Sequence, residues 1–391
     1  MKIRRKSSVS LYTQRNRVKL IRGGVEYFSL LARLIGEAQN SIHVQVYIFD
    51  EDETGEIIAD ALIKAAERKV QVFLLLDGYA SGGLSHAFRN RLVAAGVYLR
   101  FFEPLFRTKG FYLGRRLHHK VTVVDSTCCL VGGMNISNRY NDIGGVKAWL
   151  DWALYAEGEI AAQVLKVSLR LWSKSKLGRK TLLWQQEQLP AITENCRVRV
   201  RSNDWVQRLT QITESYSGMM KNAKSHIIIM SSYLIPGMDM RKKLAKAAKR
   251  NVKIKLVFAG NTDIKISKYA ERYVYRWLMK NNIEIYEYQP TILHGKMGTY
   301  DNKWVTVGSY NINNISAFAS LELNLDVEDE HFATAVSQTL EEIIENDCLR
   351  ITPEQYRTRY GFFNMLMQWG AYHTVRALFF LFTFYFKQWK E

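Results

Sequence analysis

Cysteine is scarce in this chain: only four of its 391 residues are cysteines. Cys128 and Cys129 are adjacent in an apolar stretch, while Cys196 and Cys348 stand alone. Neighbouring residues of a strand point to opposite faces, so the pattern lacks the spacing of a metal-binding site and indicates no disulfide framework. We therefore expect buried thiols in a protein that works in a reducing compartment.

Long apolar runs are missing as well. The strongest candidate, Ala377–Phe386, is only ten residues long, whereas a membrane-spanning helix needs roughly 20. Residues 1–22 hold eight Lys or Arg, no acid and no continuous apolar run. We interpret them as a basic N-terminal arm and not as a secretory signal.

Acidic residues are in the minority, with 37 Asp and Glu against 55 Lys and Arg, a formal net charge of +18. Such an excess indicates an anionic partner, either a nucleic acid or an acidic membrane surface. Hydrophobic residues make up 47% of the chain, and its length is ample for two domains with proper cores. Charge alone does not choose between the two partners.

One pattern occurs twice against this background. It reads His-x-Lys-x4-Asp and, six residues later, Gly-Gly-x-Asn or Gly-Ser-x-Asn. The first copy runs from His118 to Asn135 and the second from His294 to Asn311, with the same internal spacing. A lone His-x-Lys has little meaning, but two complete copies with matching tails indicate a function.

The chemistry of each copy suits a phosphate group. Side chains alternate along a strand, so the histidine and the lysine of each copy share one face. Lysine supplies a point charge for phosphoryl oxygens, and the glycine turn lets backbone N–H groups approach closely. The candidate groups around the phosphate are Lys120, Lys296, Asn135, Asn311 and Ser309.

Two histidines, one in each half, suit displacement at phosphorus through a covalent step. One imidazole attacks and becomes a phosphohistidine, while the other protonates the leaving oxygen and later deprotonates the incoming nucleophile. No metal or cofactor is expected if lysine and asparagine stabilise the developing charge. His118 and His294 are the candidate pair. Asp125 and Asp301 complete the candidate catalytic set by pattern, although we expect them to tie the motif strands to neighbouring backbone.

Strand and helix patterns alternate along the first half, which predicts an α/β sandwich with a mixed sheet. The second half repeats the first beyond the motifs: Leu62–Val72 matches Leu244–Ile254 in its apolar, alanine and arginine positions. Duplicated halves, each with half a site, predict a pseudo-twofold arrangement around one shared cleft. A monomer is then sufficient for one site, and the oligomeric state stays open.

The duplicated motif resembles the signature of the phospholipase D superfamily, over roughly residues 18–344. The stretches Tyr47–Gly55, Leu75–Tyr79 and Arg116–Lys120 are similar to bacterial cardiolipin synthases of the B type. The resemblance implies two tandem phospholipase D-like domains. It also implies that the N-terminal histidine, His118, is the nucleophile and His294 the acid/base. A carboxylate downstream of each motif would orient the histidines, here Asp151 and Glu322.

The expected domains follow from these boundaries. They are a basic arm (1–22), a first phospholipase D-like domain (23–172), a linker (173–196), a second such domain (197–350) and a tail (351–391). In the tail, Asn364, Gln368, Tyr372 and Arg376 form a polar stripe at i+4 spacing on a largely apolar helix. We predict that this helix lies in a membrane interface.

The motif indicates the mechanism better than the substrate, and three functions are compatible with it. The resemblance favours a cardiolipin synthase-type transferase that moves a phosphatidyl group from phosphatidylglycerol to a second phospholipid or alcohol. It would bind an anionic membrane peripherally, on the cytoplasmic face of the bacterial inner membrane. The alternatives are a phospholipid hydrolase and a phosphodiesterase acting on nucleic acid. A function on nucleic acid would not explain the aromatic C-terminal tail, so nucleic acid is the less favoured partner.

Overall fold

The structure, a computed structural model, describes residues 11–104, 115–172, 194–313, 320–359 and 362–385; the side chains of 359, 362 and 379–385 are not described. Strands and helices alternate through both halves. The first half contains the strands β1 (Asn16–Arg22), β2 (Ser41–Val46), β3 (Gln71–Asp77), β4 (Tyr98–Phe102), β5 (Arg116–Leu117), β6 (Val121–Val124), β7 (Cys128–Gly132) and β8 (Trp152–Gly158). Its helices are α1 (Val25–Glu37), α2 (Glu53–Glu67), α3 (His86–Ala94) and α4 (Glu159–Trp172).

The second half continues with the same alternation. Its strands are β9 (Arg197–Asp204), β10 (Leu209–Thr210), β11 (His226–Ser231), β12 (Lys253–Asn261), β13 (Glu284–Ile292), β14 (Lys296–Tyr300), β15 (Trp304–Gly308), β16 (Ser320–Glu328) and β17 (Cys348–Arg350). Its helices are α5 (Gln211–Asn222), α6 (Met238–Lys249), α7 (Lys265–Lys280), α8 (Glu330–Asp347), α9 (Pro353–Arg359) and α10 (Phe362–Tyr385).

The two sheets have the same strand order. The first runs β1-β8-β7-β6-β2-β3-β4, and the second contains the equivalent order β9-β16-β15-β14-β11-β12-β13, with β10 and β17 added at its edges. In each sheet three strands are parallel and the others antiparallel, as in the pairs β2–β3 and β2–β6. This confirms the prediction of two tandem α/β domains with mixed sheets.

A shared core joins the halves. One hydrophobic cluster takes buried residues from both sheets and from the helices α4 and α8 between them. Val121 and Val123 of β6 belong to it, as does Met297 of β14. The two strands that follow the motif lysines are therefore packed into the same core, which holds the two motifs in a constant relation. Each half also has a core of its own, under α1–α3 and under α5–α7.

Local signals explain where the elements begin. Helix α2 starts at Glu53, earlier than its apolar pattern indicates, because the Asp52 side chain accepts a hydrogen bond from the Gly55 N–H at 3.0 Å. The carboxylate also accepts from the Asn138 N–H at 2.7 Å. This cap thus ties the start of α2 to the chain that follows the first motif.

Some of the predicted boundaries differ from the structure. Asn16–Arg22, which we placed in a basic arm, form strand β1, and all seven residues pair with β8. Their basic side chains alternate with Val18, Leu20 and Ile21, which pack inward. Residues 1–10 and most of the predicted linker, 173–193, lie outside the described residues.

Helix α10 packs on the protein with the face that we expected to be its polar stripe. Gln368 and Tyr372 are buried, and both have hydrogen-bond partners on the protein. Tyr356 donates to Gln368 Oε1 at 2.6 Å, and Arg241 donates to the Tyr372 hydroxyl at 2.9 Å. The Tyr372 ring also stacks on Tyr273 of α7, with ring centroids 4.6 Å apart. Within the described part of the chain, no helix is both long and apolar enough to cross a membrane.

Candidate active site

Each motif is anchored on the backbone of the other half. Strand β5 pairs in parallel with the start of β16, and the His118 N–H donates to the Leu321 carbonyl at 3.0 Å. In the reverse direction, the N–H groups of His294 and Gly295 donate to the Leu150 carbonyl at 2.8 and 2.9 Å. This exchange places each histidine beside the strand that follows the opposite motif.

Glu322 contacts His118 at its Nδ1 atom. Nδ1 of His118 lies 2.9 Å from Oε2 of Glu322, whose side chain is fully buried. The hydroxyls of Ser309 and Ser320 donate to the same carboxylate, the latter at 2.7 Å. Burial would raise the pKa of Glu322, but His118, Lys120 and the Ser309 hydroxyl together lower it. This carboxylate is therefore ionised and stabilises an imidazolium at His118.

Asp151 contacts Nδ1 of His294 in the same way but in a different environment. Nδ1 of His294 lies 2.6 Å from Oδ2 of Asp151, and Oδ1 accepts from the Trp152 N–H at 2.7 Å. Lys296 Nζ approaches the same ring nitrogen to 2.8 Å and donates to the His294 carbonyl. Burial raises the pKa of Asp151 to about 6, against the opposing effect of Lys296.

Both histidines are neutral in the unliganded site. Burial lowers the pKa of His118, and Lys120 and Lys296 lower it further against the opposing charge of Glu322. Burial and the same two lysines hold the pKa of His294 well below its ordinary value. Because each imidazole is affected by both lysines, the two halves form a single site.

The lysines lie beside the histidines with almost no exposure. Lys120 Nζ donates to the His118 carbonyl at 3.0 Å and lies 5.1 Å from the centroid of the Tyr47 ring. Burial holds the pKa of Lys120 well below its ordinary value and lowers that of Lys296 to about 8. Two buried cations without an equal number of firmly ionised carboxylates create a field that attracts an anion.

The predicted alternation of side chains is confirmed in the first motif. His119 points away from the site, with Nδ1 3.0 Å from Oε1 of Gln45, while His118 and Lys120 face the site. The arrangement offers two neutral imidazoles and two buried cations at one place. It can bind a phosphodiester, attack its phosphorus with one imidazole and transfer protons with the other.

Both halves of the chain match a known family. Residues 31–163 and 216–345 match the family model described as "Cardiolipin synthase, PLD-like domain". The chain is 33% identical over 368 residues to cardiolipin synthase B of Escherichia coli K12, covering 92% of this chain and 88% of that protein. It is 27% identical over 344 residues to cardiolipin synthase 1 of Bacillus anthracis, covering 85% and 66%.

The chain belongs to the cardiolipin synthase family of phospholipase D-like proteins. As a member it is a phosphatidyltransferase of the phospholipase D superfamily. A solved structure, phosphatidylserine synthase of Haemophilus influenzae, superposes with a TM-score of 0.70 over 94% of this chain and 96% of its own. At 13% identity, that similarity is one of fold.

The motif residues that we expected around the phosphate have other contacts in this cardiolipin synthase-family site. Asn135 accepts from the Ile48 N–H at 3.1 Å and donates to the Tyr140 hydroxyl at 2.9 Å. Asn311 Oδ1 accepts from Ser232 at 2.9 Å. The Ser309 hydroxyl, which we placed on the phosphate, donates to Glu322 instead. Its role is to keep that carboxylate ionised.

Asp125 and Asp301 have a structural role and do not contact the histidines. Asp125 follows β6 and accepts from the N–H groups of Gln39, Asn40 and Ser41 at 2.7–2.8 Å. Asp301 follows β14 and accepts from three successive N–H groups, of Lys224, Ser225 and His226. Each aspartate ties the far end of its motif strand to the neighbouring strand, which is the arrangement that we expected of both.

Aromatic residues around the histidines were missed by the sequence analysis. Tyr47 contacts the His118 ring edge-on at 5.1 Å, and Tyr140 contacts the His294 ring edge-on at the same centroid distance. Trp149 lies 6.0 Å from His294. The sequence offered one signal for Tyr140 and Trp149, namely their places shortly after Asn135 and just before Asp151.

Proposed function

We propose that the protein moves a phosphatidyl group from phosphatidylglycerol to a hydroxyl of a second phospholipid or alcohol, through a phosphohistidine. The observation that carries the mechanism is the pair of imidazoles, each bound at Nδ1 by a carboxylate from the other half, beside two buried lysines. The lipid substrate is supported by family membership. Relatives named cardiolipin synthases make a lipid with two phosphatidyl groups on one glycerol, which this reaction would produce.

In the first step, Nε2 of His118 attacks the phosphorus of the donor lipid. The bond from phosphorus to the headgroup oxygen breaks, and His294 gives its Nε2 proton to that oxygen. His294 must therefore be protonated when the donor is bound. The anionic phosphodiester supplies the reason, because its charge offsets the field of Lys120 and Lys296 and raises the pKa of both imidazoles.

In the second step, neutral His294 takes the proton of the acceptor hydroxyl, whose oxygen attacks the phosphorus. The phosphorus–nitrogen bond to His118 breaks, and the nucleophile returns to its starting form. Water in place of the alcohol would give phosphatidic acid. Exclusion of water from the closed site therefore sets the ratio of transfer to hydrolysis.

Two features support His118 as the nucleophile. No hydrogen bond to its Nε2 occurs among the residues that the structure describes, and its side chain is 17% exposed, compared with 9% for His294. The ionised Glu322 also stabilises the positive charge that His118 acquires when its Nε2 bonds to phosphorus.

Lipid analysis by mass spectrometry tests the proposal. Purified protein is incubated with phosphatidylglycerol vesicles, alone and with phosphatidylethanolamine, beside a His118→Ala control. We expect cardiolipin only with the unaltered protein, and the dependence on the second lipid would name the acceptor. Phosphatidic acid without cardiolipin would make the protein a hydrolase. No lipid turnover would overturn the proposal and favour the nuclease alternative, which an assay on DNA with the same variant would check.

We further propose that helix α10 binds the membrane peripherally. Its outward face is apolar: Phe363, Leu366, Met367, Trp369 and Leu378 are 45–80% exposed. Within α10 the sequence has no acidic residue and one basic residue, Arg376. An exposed apolar helix face on a protein of net charge +18 suits an anionic lipid surface. The cytoplasmic face of the inner membrane, where thiols stay reduced, agrees with four free cysteines.

Sedimentation with phosphatidylglycerol vesicles tests the role of α10. In the double variant Phe363→Glu/Leu366→Glu we expect binding to fall at least about tenfold, because two charges are placed against hydrocarbon. Val93→Glu is the matched control, since Val93 is 55% exposed on α3 and the change adds the same kind of charge elsewhere. Equal binding of both variants would remove α10 from the proposal.

A further inference from the structure

The Tyr140 hydroxyl, from the first half, lies close to Nε2 of His294 in the second half. Tyr140 ends a single 3₁₀ turn, Asn138–Tyr140, that follows the first motif, and it is buried. Its hydroxyl lies 3.4 Å from Nε2 of His294 and 2.9 Å from Nδ2 of Asn135. The first distance is long for a hydrogen bond, but such contacts often shorten when an enzyme binds its substrate.

The neighbouring contacts set the direction of this chain of hydrogen bonds. Asn135 uses Oδ1 to accept from the Ile48 N–H, so its Nδ2 faces Tyr140 and donates to the hydroxyl. Nδ1 of His294 lies 2.6 Å from Asp151 Oδ2 and 2.8 Å from Lys296 Nζ. Since Lys296 already donates to the His294 carbonyl and the Asp151 carboxylate can accept, we place the ring proton on Nδ1. Nε2 then carries the lone pair, and the Tyr140 hydroxyl donates to it.

In the sequence, the second half has no tyrosine at the position equivalent to Tyr140. Five residues after Asn135 comes Tyr140, whereas five residues after Asn311 comes Ser316, which lies outside the described residues. Tyr47 touches the His118 ring with the edge of its own ring, and no described residue forms a hydrogen bond to Nε2 of His118. Among the described residues, a hydroxyl beside the catalytic Nε2 therefore occurs at His294 and not at His118.

We propose that Tyr140 is a positioning residue for the acid/base histidine, holding the Nε2 atom of His294 at the point where protons pass to and from the substrate oxygens. This inference rests on the proposed function for the role of His294. When Nε2 is neutral, Tyr140 donates to it; when Nε2 carries a proton, Nε2 donates to the substrate oxygen instead. Burial raises the pKa of Tyr140 far above neutral, so the residue keeps its own proton throughout.

The groups around His294 set the sign of the pH effect. Besides Tyr140, the charged or titratable groups that act on it are Asp151, Lys296, Lys120, His118 and Asp263. A donor to Nε2 stabilises the neutral imidazole. Removing the hydroxyl therefore raises the pKa of His294. Since the first step needs protonated His294, activity in the variant should persist to higher pH than in the unaltered protein.

Tyr140→Phe tests the inference, because it keeps the ring and removes the hydroxyl. We expect kcat for phosphatidyl transfer to fall about 10- to 100-fold, the usual effect of losing one catalytic hydrogen bond. KM for the donor lipid should stay within about twofold, and the alkaline limb of the pH profile should move upward. Tyr216→Phe is the matched control. It removes a buried hydroxyl in the core of the second half that has no hydrogen-bond partner among the described residues.

A readout that does not need activity separates this inference from the proposed function. In ¹⁵N-histidine NMR, the Nε2 resonance of His294 should titrate at higher pH in Tyr140→Phe than in the unaltered protein or in Tyr216→Phe. An unmoved resonance together with an unmoved pH profile would reduce Tyr140 to a packing residue. If the unaltered protein turned over no lipid but the resonance still moved, the positioning role would stand and the proposed reaction would fall.

Discussion

The two half-sites have the same backbone and different electrostatics. His118 faces Glu322, a buried carboxylate with two serine hydroxyls donating to it and a lowered pKa. His294 faces Asp151, which receives one backbone N–H and has its pKa raised to about 6. Part of this difference in pKa comes from one position of the motif. Ser309 in the second motif donates to Glu322, whereas the equivalent residue in the first motif, Gly133, has no hydroxyl to donate.

This comparison shows how a duplicated motif acquires two roles. An imidazole beside a firmly ionised carboxylate suits the nucleophile, which becomes positively charged in the covalent intermediate. An imidazole beside a carboxylate that titrates near neutrality, with Tyr140 at its other nitrogen, suits a group that gains and loses protons in each cycle. The two halves share one fold, and a few side chains, among them Ser309 and Tyr140, make the two half-sites chemically different.

The largest expected effect comes from the histidines. His118→Ala and His294→Ala should each lower phosphatidyl transfer by at least about 10⁴-fold, because transfer needs both the nucleophile and the base that activates the acceptor hydroxyl. The two variants should differ in one respect: a covalent phosphatidyl adduct, detected by mass spectrometry of the intact protein, should accumulate only in the His294 variant. An adduct on His294 in the His118 variant would reverse the assigned roles.

The carboxylates come next. Asp151→Asn and Glu322→Gln should each lower kcat by about 10³- to 10⁴-fold, because the ring proton is no longer held on Nδ1. The measurement is initial rate on phosphatidylglycerol vesicles at saturating lipid. Comparable losses are expected although the carboxylates differ in pKa, since both bind Nδ1 directly. A loss below about tenfold in either variant would count against an orienting role there.

The same two variants should change stability in opposite directions. The folded-state pKa of Asp151 is raised from 3.8 to about 6, so its stabilising contribution is present at low pH and is lost as pH rises through about 6. At about pH 8 the free energy of unfolding of Asp151→Asn, measured by urea denaturation, should therefore exceed that of the unaltered protein by roughly 1–3 kcal/mol.

Glu322 has a lowered pKa, so its stabilising contribution is present above about pH 4.5 and is lost as the pH falls below that value. Glu322→Gln should therefore have a lower free energy of unfolding than the unaltered protein at about pH 8. If the free energy of unfolding changed in the same direction in both variants, the two carboxylates would not differ electrostatically in this way.

The smallest effects are expected from exchanging the glycine and serine. Gly133→Ser should lower activity about 100-fold, because a Cβ at this position overlaps the Asp151 carboxylate and displaces it from His294. Ser309→Ala removes one of the donors to Glu322, so we expect a loss of only about tenfold. Rates measured at several pH values would check both variants. Equal losses would show that the two positions are interchangeable.

Much of this arrangement was predictable from local pattern. The repeated spacing of His, Lys, Asp, Gly and Asn identified two equivalent halves, and the alternation of side chains placed His118 with Lys120 on one face. Strand β6 follows its apolar pattern because short-range patterning determines such elements. Strand β1 was partly obscured by its charge, since three of its seven residues are Arg or Lys although all seven pair with β8.

The amino-acid sequence by itself determined the fold class, the duplication and the four cationic or imidazole groups of the site. Only the tertiary structure decided that Glu322 serves His118, 204 residues away, and that Asp151 serves His294, 143 residues away. It likewise placed Tyr140 on His294 and the polar side of α10 against α7. The physical reason is that the halves exchange backbone hydrogen bonds across a shared core, and no local pattern records which long-range partners such packing brings together.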